Sequence, residues 1–199
     1  MKKLILLAVV ALAALAVGTA TVFASDGSDD NADNNTQATC PTPSTGAATA
    51  ADHGSGTSGN DNVQGSQGDD NEHGGQGNDQ IDGNGGNDHL SGDQGDDDMC
   101  GDQGDDDMNG GPGNDQMDGG PGNDVENGQA GNDDVNGDSG NDTLTGGPGA
   151  DVVNGGPGND RINVRDGRRD RVNCGSGNDR VKADRKDKVA KNCEHVSRG

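Results

Sequence analysis

The sequence runs to 199 residues with a formal net charge of -22; only 25% of it is hydrophobic, and Phe23 is its one aromatic residue. A chain of this length and composition cannot build a conventional apolar core. Excess acid without aromatic rings also argues against nucleic acid as a partner, since phosphate binding needs clustered Lys and Arg and base stacking needs aromatic faces.

The first segment has the layout of a secretory leader: Lys2 and Lys3, an apolar stretch from Leu4 to Val17, and Val22-Phe23-Ala24 before a cleavage point. Residues 1–24 are therefore expected to be a signal peptide, which places the mature chain outside the cell, secreted or at the cell surface. The alternative is an uncleaved anchor, because Leu4 to Ala24 is long enough to span a bilayer. The small residues Gly18, Thr19 and Ala20 favour cleavage, and no membrane association is expected once the leader is gone. Residues 25–58, mostly Asp, Asn, Ser, Thr, Gly and Ala with Pro41 and Pro43, bury too little to offset chain entropy and read as a disordered linker.

From Gly59 a period of nine sets in, with glycine at 59, 68, 77, 86, 95, 104, 113, 122, 131, 140, 149 and 158. Two residues after each stands an aspartate: Asp61, Asp70, Asp79, Asp88, Asp97, Asp106, Asp115, Asp124, Asp133, Asp142, Asp151 and Asp160. Two further on comes an aliphatic residue or Met, except at Glu72 and Glu126. A second glycine follows two places later in eleven of the twelve units, from Gly65 to Gly155. Each unit is thus a glycine loop and a strand of about three residues, and an odd-length unit that reverses once per repeat turns every central strand residue inward. Glu72 and Glu126 should make weak rungs. At the second, a one-residue slip could turn Val125 inward and send Glu126 to solvent.

This pattern resembles the RTX, or haemolysin-type, calcium-binding nonapeptide, Gly-Gly-x-Gly-x-Asp-x-(apolar)-x, over residues 59–166. The resemblance implies an all-β fold, a right-handed parallel β-roll, or β-solenoid, of nonapeptide repeats with two units per turn and calcium in the loops between turns. The residue chemistry agrees: calcium takes six to eight hard oxygen ligands, which Asp carboxylates and loop carbonyls supply. The expected metal ligands are the twelve aspartates named above, with backbone carbonyls near Gly77, Gly86, Gly95, Gly104, Gly113, Gly122, Gly131, Gly140 and Gly149. Alternate units face opposite sides, so the aspartates fall into two columns. One ion per interval would give about ten Ca2+. Between residues 25 and 160 there are thirty acids and no Lys or Arg, so without metal the loops repel one another and folding is expected to be linked to binding.

Residues 161–199 carry twelve Lys and Arg against six acids. At Gly167 the loop positions held elsewhere by Asn-Asp are taken by Arg168-Arg169, so the calcium columns are expected to stop near there. Residues 167–199 then form a basic, degenerate-repeat cap whose cations pair with the last acidic rungs. A rival use of Arg165, Arg168, Arg169, Arg171, Lys182, Arg185 and Lys186 is contact with an anionic cell-surface polymer. The four cysteines of an exported chain allow three full pairings, of which Cys174 with Cys193 is favoured; Cys40 with Cys100 has no spacing in its support.

No His-Glu-x-x-His helix or Gly-x-Ser-x-Gly turn is present, and His53, His73, His89 and His195 are scattered. No catalytic residue is expected. The function these readings favour is a secreted calcium ion-binding protein. The alternative is a calcium-stiffened structural or adhesive protein of the cell surface, while ice binding would need a flat ladder of donors that the variable loop residues do not offer.

Overall fold

The computed structural model describes residues 55–199. Every strand in it pairs in parallel, and no helix occurs among the described residues. Two eight-stranded sheets alternate along the chain, one starting at Asn62–Gln64 and the other at Asn71–Gln76, so each turn of the β-solenoid uses two nonapeptide units. There are about eight such turns.

Because side chains alternate across a strand, a three-residue strand turns one residue inward. In the first sheet the inward row runs Val63, Ile81, Met99, Met117, Val135, Val153, Val172, Val189. In the second it runs Glu72, Leu90, Met108, Glu126, Leu144, Ile162, Val181, Val196. The apolar members from Ile81 to Val181 are nearly all sealed from solvent, while Val196 at the end is 37% exposed. One aliphatic side chain per nine ordered residues is a thin core for the entropy it must offset.

The expected slip at Glu126 does not occur. Glu126 is in register with Met108 and Leu144 and is 1% exposed, while Val125 lies 47% exposed on the outer face. The register is held by the loop before the strand. Asn123 N–H donates to Asp105 Oδ1 at 2.7 Å and Asp124 N–H to Asp142 Oδ1 at 3.0 Å, and sliding the strand would break both.

The ends also differ from expectation. At the front, Ser55 bridges His73 and Gly56 N–H donates to the His73 carbonyl, so residues 55–58 belong to the first turn rather than to a linker. At the back the ladders do not stop at Gly167. Arg171–Asn173, Arg180–Ala183, Lys188–Val189 and His195–Arg198 continue both sheets, with Val172, Cys174, Val181 and Ala183 buried between them. Cys174 and Cys193 form a disulfide across this last part, as favoured from sequence. Cys100 is disulfide-bonded too, and its partner, like the leader and most of the linker, lies outside the described residues.

Candidate functional site

The turns are bent by a residue in the left-handed region four places before eleven of the aspartates. Glycine holds that place at Gly75, Gly111, Gly120, Gly147, Gly156 and Gly175, and Asn84, Asp93, Asp102, Gln129 and Asp138 adopt φ of 55–69° there. The bend brings each aspartate back under the loop of its own unit. Eighteen residues on, the same happens one turn higher, which stacks the aspartates.

The stacking is specific at the level of single atoms. Asp79 N–H donates to Asp97 Oδ1 at 2.8 Å, Asp97 to Asp115 at 3.0 Å, Asp115 to Asp133 at 3.0 Å and Asp133 to Asp151 at 3.1 Å. On the other side Asp88, Asp106, Asp124, Asp142 and Asp160 are chained in the same way. These bonds use only Oδ1. The Oδ2 atoms of Asp79, Asp88, Asp97, Asp106, Asp115, Asp124, Asp133, Asp142, Asp151, Asp160, Asp170 and Asp179 are buried and have no hydrogen-bond partner.

Twelve unpartnered carboxylate oxygens, none on a residue more than 3% exposed, are far beyond what a folded chain tolerates without a counter-charge. Burial is the largest cause that pushes the carboxyls of Asp88, Asp115, Asp124, Asp142 and Asp151 up to about 7, and those of Asp97, Asp106, Asp160 and Asp170 up to about 6.

Backbone oxygens stand next to these atoms. A methyl group built on Gly74 would lie 2.6 Å from Asp79 Oδ2 and 2.7 Å from the Gly92 carbonyl oxygen. At Gly101 the corresponding neighbours are Asp106 Oδ2 at 2.5 Å and the Gly119 carbonyl at 2.7 Å, and at Gly128 they are Asp133 Oδ2 at 2.5 Å and the Gly146 carbonyl at 2.6 Å. The two atoms nearest to each point that a Cβ would fill are thus oxygens, one from a carboxylate and one from a peptide group. No three His, Cys, Asp or Glu side chains converge to hold a metal among the described residues, so the donor set is carboxylate plus carbonyl. That is the chemistry of a hard cation such as calcium, not of zinc.

Eight of the nine carbonyls of the expected set, at Gly77, Gly86, Gly95, Gly104, Gly113, Gly122, Gly131 and Gly140, form a second row, each against the glycine one turn on, whereas Gly149 does not meet Gly167 in this way. This row stands on the Oδ1 side of the aspartates, as Asp133 Oδ1 shows at 2.7 Å from a methyl on Gly131. The row facing Oδ2, at Gly92, Gly101, Gly110, Gly119, Gly128 and Gly146, comes from the second glycine of the unit and lies outside the expected carbonyl set.

Two of the twelve expected aspartates do not share the pattern. Asp61 Oδ2 accepts hydrogen bonds from Thr57 N–H at 2.6 Å and Thr57 Oγ1 at 2.9 Å, and Asp70 Oδ2 accepts from Ser66 N–H at 2.6 Å and Ser66 Oγ at 2.9 Å. In these units the bend position holds Thr or Ser, neither with positive φ, and the loop closes on its own carboxylate. The sequence signal was present in the residue four before each aspartate.

Conversely, two aspartates outside the expected set join the columns. Asp151 N–H donates to Asp170 Oδ1 at 3.0 Å and Asp160 N–H to Asp179 Oδ1 at 2.9 Å, across 19 residues rather than 18. Arg168 and Arg169 are exposed. The extra residue lets the chain loop out and return Asp170 to the column, so the expected end at Gly167 is corrected to the turn beyond. The columns finish where protein donors meet the last acids, with Asp187 Oδ2 accepting from Asp184 N–H at 2.5 Å and Glu194 Oε2 from Asp179 N–H at 3.0 Å.

The expected pairing of the basic end with acidic rungs is also corrected. No Lys or Arg lies within ion-pair distance of a carboxylate among the described residues. Lys186 donates to the Gly167 carbonyl at 3.1 Å and Arg198 to the Asp184 carbonyl at 2.8 Å instead.

An outer ladder went unread in the sequence. The Asn or Asp before most of the aspartates accepts at its Oδ1 from the backbone N–H one turn on, as Asn114 from Asn132 at 2.9 Å and Asn123 from Asn141 at 3.0 Å. On one flank Asp118 is pushed up to about 7 by burial and then by Asp138, and Asp82 to about 6 by burial and then by Asp102. Inside, Glu126 is raised well above its usual value by burial and then by Asp124 and Asp142.

The profile of the RTX calcium-binding nonapeptide repeat matches the sequence in four copies, over residues 49–71, 73–108, 101–126 and 127–162, more than half of the chain. No curated protein matches it.

Proposed function

Since the chain belongs to the RTX calcium-binding nonapeptide repeat family, we propose that it is an exported, non-enzymatic calcium-binding protein whose roll folds as its carboxylate columns take up the ion. The observation that carries this reading is the set of twelve buried Oδ2 atoms without a partner. Asp79, Asp97, Asp115, Asp133, Asp151 and Asp170 would hold ions on one side, and Asp88, Asp106, Asp124, Asp142, Asp160 and Asp179 on the other, with the carbonyl of a second glycine beside Asp79, Asp88, Asp97, Asp106, Asp115 and Asp133. Bound calcium supplies the positive charge that these columns lack.

One ion for each interval between neighbours gives about ten, as the spacing alone implies, but displaced by one turn toward the C-terminus. Asp61 and Asp70 close the roll instead of binding. With a thin core and columns of like charge, the metal-free chain lacks a means of compaction, so binding and folding are one equilibrium. Export rests on the leader at residues 1–24.

The test is far-ultraviolet circular dichroism of the purified protein during calcium titration, with magnesium as control and with Asp97, Asp115 and Asp133 replaced by Ala in parallel. A cooperative coil-to-β transition, weakened in the variant, is expected. A chain that stays unstructured in millimolar calcium would sink the reading, and one already β in chelator would leave the ions without a role in folding.

A second reading has its own observation. In-register rows align Arg161 with Arg180, and Arg171 with Lys188, and none of these four cations meets a carboxylate among the described residues. Such a face suits an anionic cell-surface polymer, and a calcium-stiffened roll would then present it. Salt-sensitive retention on cells, lost when Arg161, Arg171, Arg180 and Lys182 are replaced by Gln, separates this adhesive role from calcium binding alone.

A further inference from the structure

Glu126 occupies a place that an aliphatic residue should fill. It stands between Met108 and Leu144 in the inward row, 1% exposed, and neither Oε1 nor Oε2 has a partner. The cost is doubled, because Val125 is left 47% exposed beside it. Exchanging the two by a slip would bury the valine and hydrate the carboxylate, yet the bonds of Asn123 and Asp124 hold the register.

The surroundings of Oε1 give the carboxylate a use. A methyl group built on Gly119 would lie 2.6 Å from Asp124 Oδ2 and 2.8 Å from Glu126 Oε1. Two unpartnered oxygens from two carboxylates therefore flank one point. At Gly101 and Gly128 the second oxygen is a glycine carbonyl, at 2.7 and 2.6 Å. At Gly119 the glutamate comes closer to that point than any carbonyl does.

We propose that Glu126 is a cation ligand, forming with Asp124 a two-carboxylate site that reaches from the column into the interior and binds the most tightly held calcium of the roll. The proposal rests on the calcium reading of the columns and adds to it a residue that the nonapeptide pattern assigns to the core. A second carboxylate raises the charge at the site, calcium affinity follows ligand charge, and the low dielectric of the interior strengthens the attraction.

Isothermal titration of the full chain with calcium, for the wild type, Glu126→Leu and Glu126→Gln, tests this. Both variants should lose the tightest binding class, with that ion weakened tenfold or more and the others unchanged. If Glu126→Leu keeps wild-type stoichiometry and affinity and only melts at higher temperature, the glutamate is a buried neutral group and the proposal fails. A wild type that takes up no calcium overturns the reading of the columns as well, so the two failures are distinguishable. A crystal of the wild type grown in calcium decides the point without variants. An ion about 2.3–2.6 Å from Glu126 Oε1 supports the site, and an ion bound at Asp124 out of reach of the glutamate overturns it.

Discussion

Replacing Asp133 by Asn separates the metal contribution of a rung from its hydrogen bond. Asp133 Oδ1 accepts from Asp115 N–H at 3.0 Å, which an amide oxygen can still do, whereas Oδ2 is buried and unpartnered beside the Gly146 carbonyl. The substitution keeps the shape and removes the charge. Asp133 borders two intervals of its column, toward Asp115 and toward Asp151, so two ions lose a ligand. An ion present at a hundred times its dissociation constant contributes about 2.7 kcal/mol, and losing two costs about 5 kcal/mol. In chelator the sign reverses, because a buried carboxylate without counter-charge is replaced by a neutral group. Asp133→Ala should differ by a further ~1–3 kcal/mol in both conditions, since it also strands the Asp115 N–H. Urea unfolding in saturating calcium and osmolyte-induced folding in chelator, both followed by circular dichroism, read the two signs. An Asp133→Asn variant equally destabilised with and without calcium would refute the reasoning, as would one unaffected in either.

Acidity should substitute for metal. The column carboxyls raised to about 6 or 7 from 3.8 bind protons in the folded state that the unfolded chain has released. The stability they contribute is complete below about pH 4 and is lost as pH rises toward 7. In chelator a β-type spectrum is expected to appear on acidification from pH 7 toward 4 and to vanish on return; identical spectra at both values would contradict it. Replacing Asp61 and Asp70 by Asn should leave calcium stoichiometry by titration unchanged, while Asp97→Asn lowers it, and a loss from the first pair would show that Thr57 and Ser66 release their carboxylates to the ion. Reducing the Cys174–Cys193 bridge, which closes a loop of sequence separation 19, should cost about 3 kcal/mol in the last turn. Hydrogen exchange should then speed up over residues 180–198 first, with the interior of the roll unaltered.

The fold was legible from the period because one residue class at one phase fixes three things at once. Aspartate two after glycine, and an aliphatic residue two after that, determine the turn, the strand and the inward row. The structure keeps that phase from Val63 to Val153 without a shift. Glu126 and Val125 show the limit of reading by hydrophobicity alone. Local burial favours the slip, but register is set by the bonds of Asn123 and Asp124, and nothing in the apolar pattern records those bonds.

The stacking of the aspartates was legible in the middle of the columns and departs from the repeat at both ends. A period treats units as equivalent, whereas the fate of the Oδ2 of every aspartate from Asp61 to Asp160 follows the residue four places earlier. Gly, Asn, Asp or Gln bends left-handed and leaves the oxygen unpartnered, while Thr57 and Ser66 donate to it. At the far end a single inserted residue broke the count without breaking the column, since Asp170 returns to accept from Asp151. The unpartnered acceptors are therefore bounded by protein donors at Thr57, Ser66, Asp184 and Asp179. A column closed in this way has its terminal carboxylates satisfied without metal. The unmet charge is therefore confined to the turns between the two ends, where a bound cation, or protonation at low pH, would neutralise it.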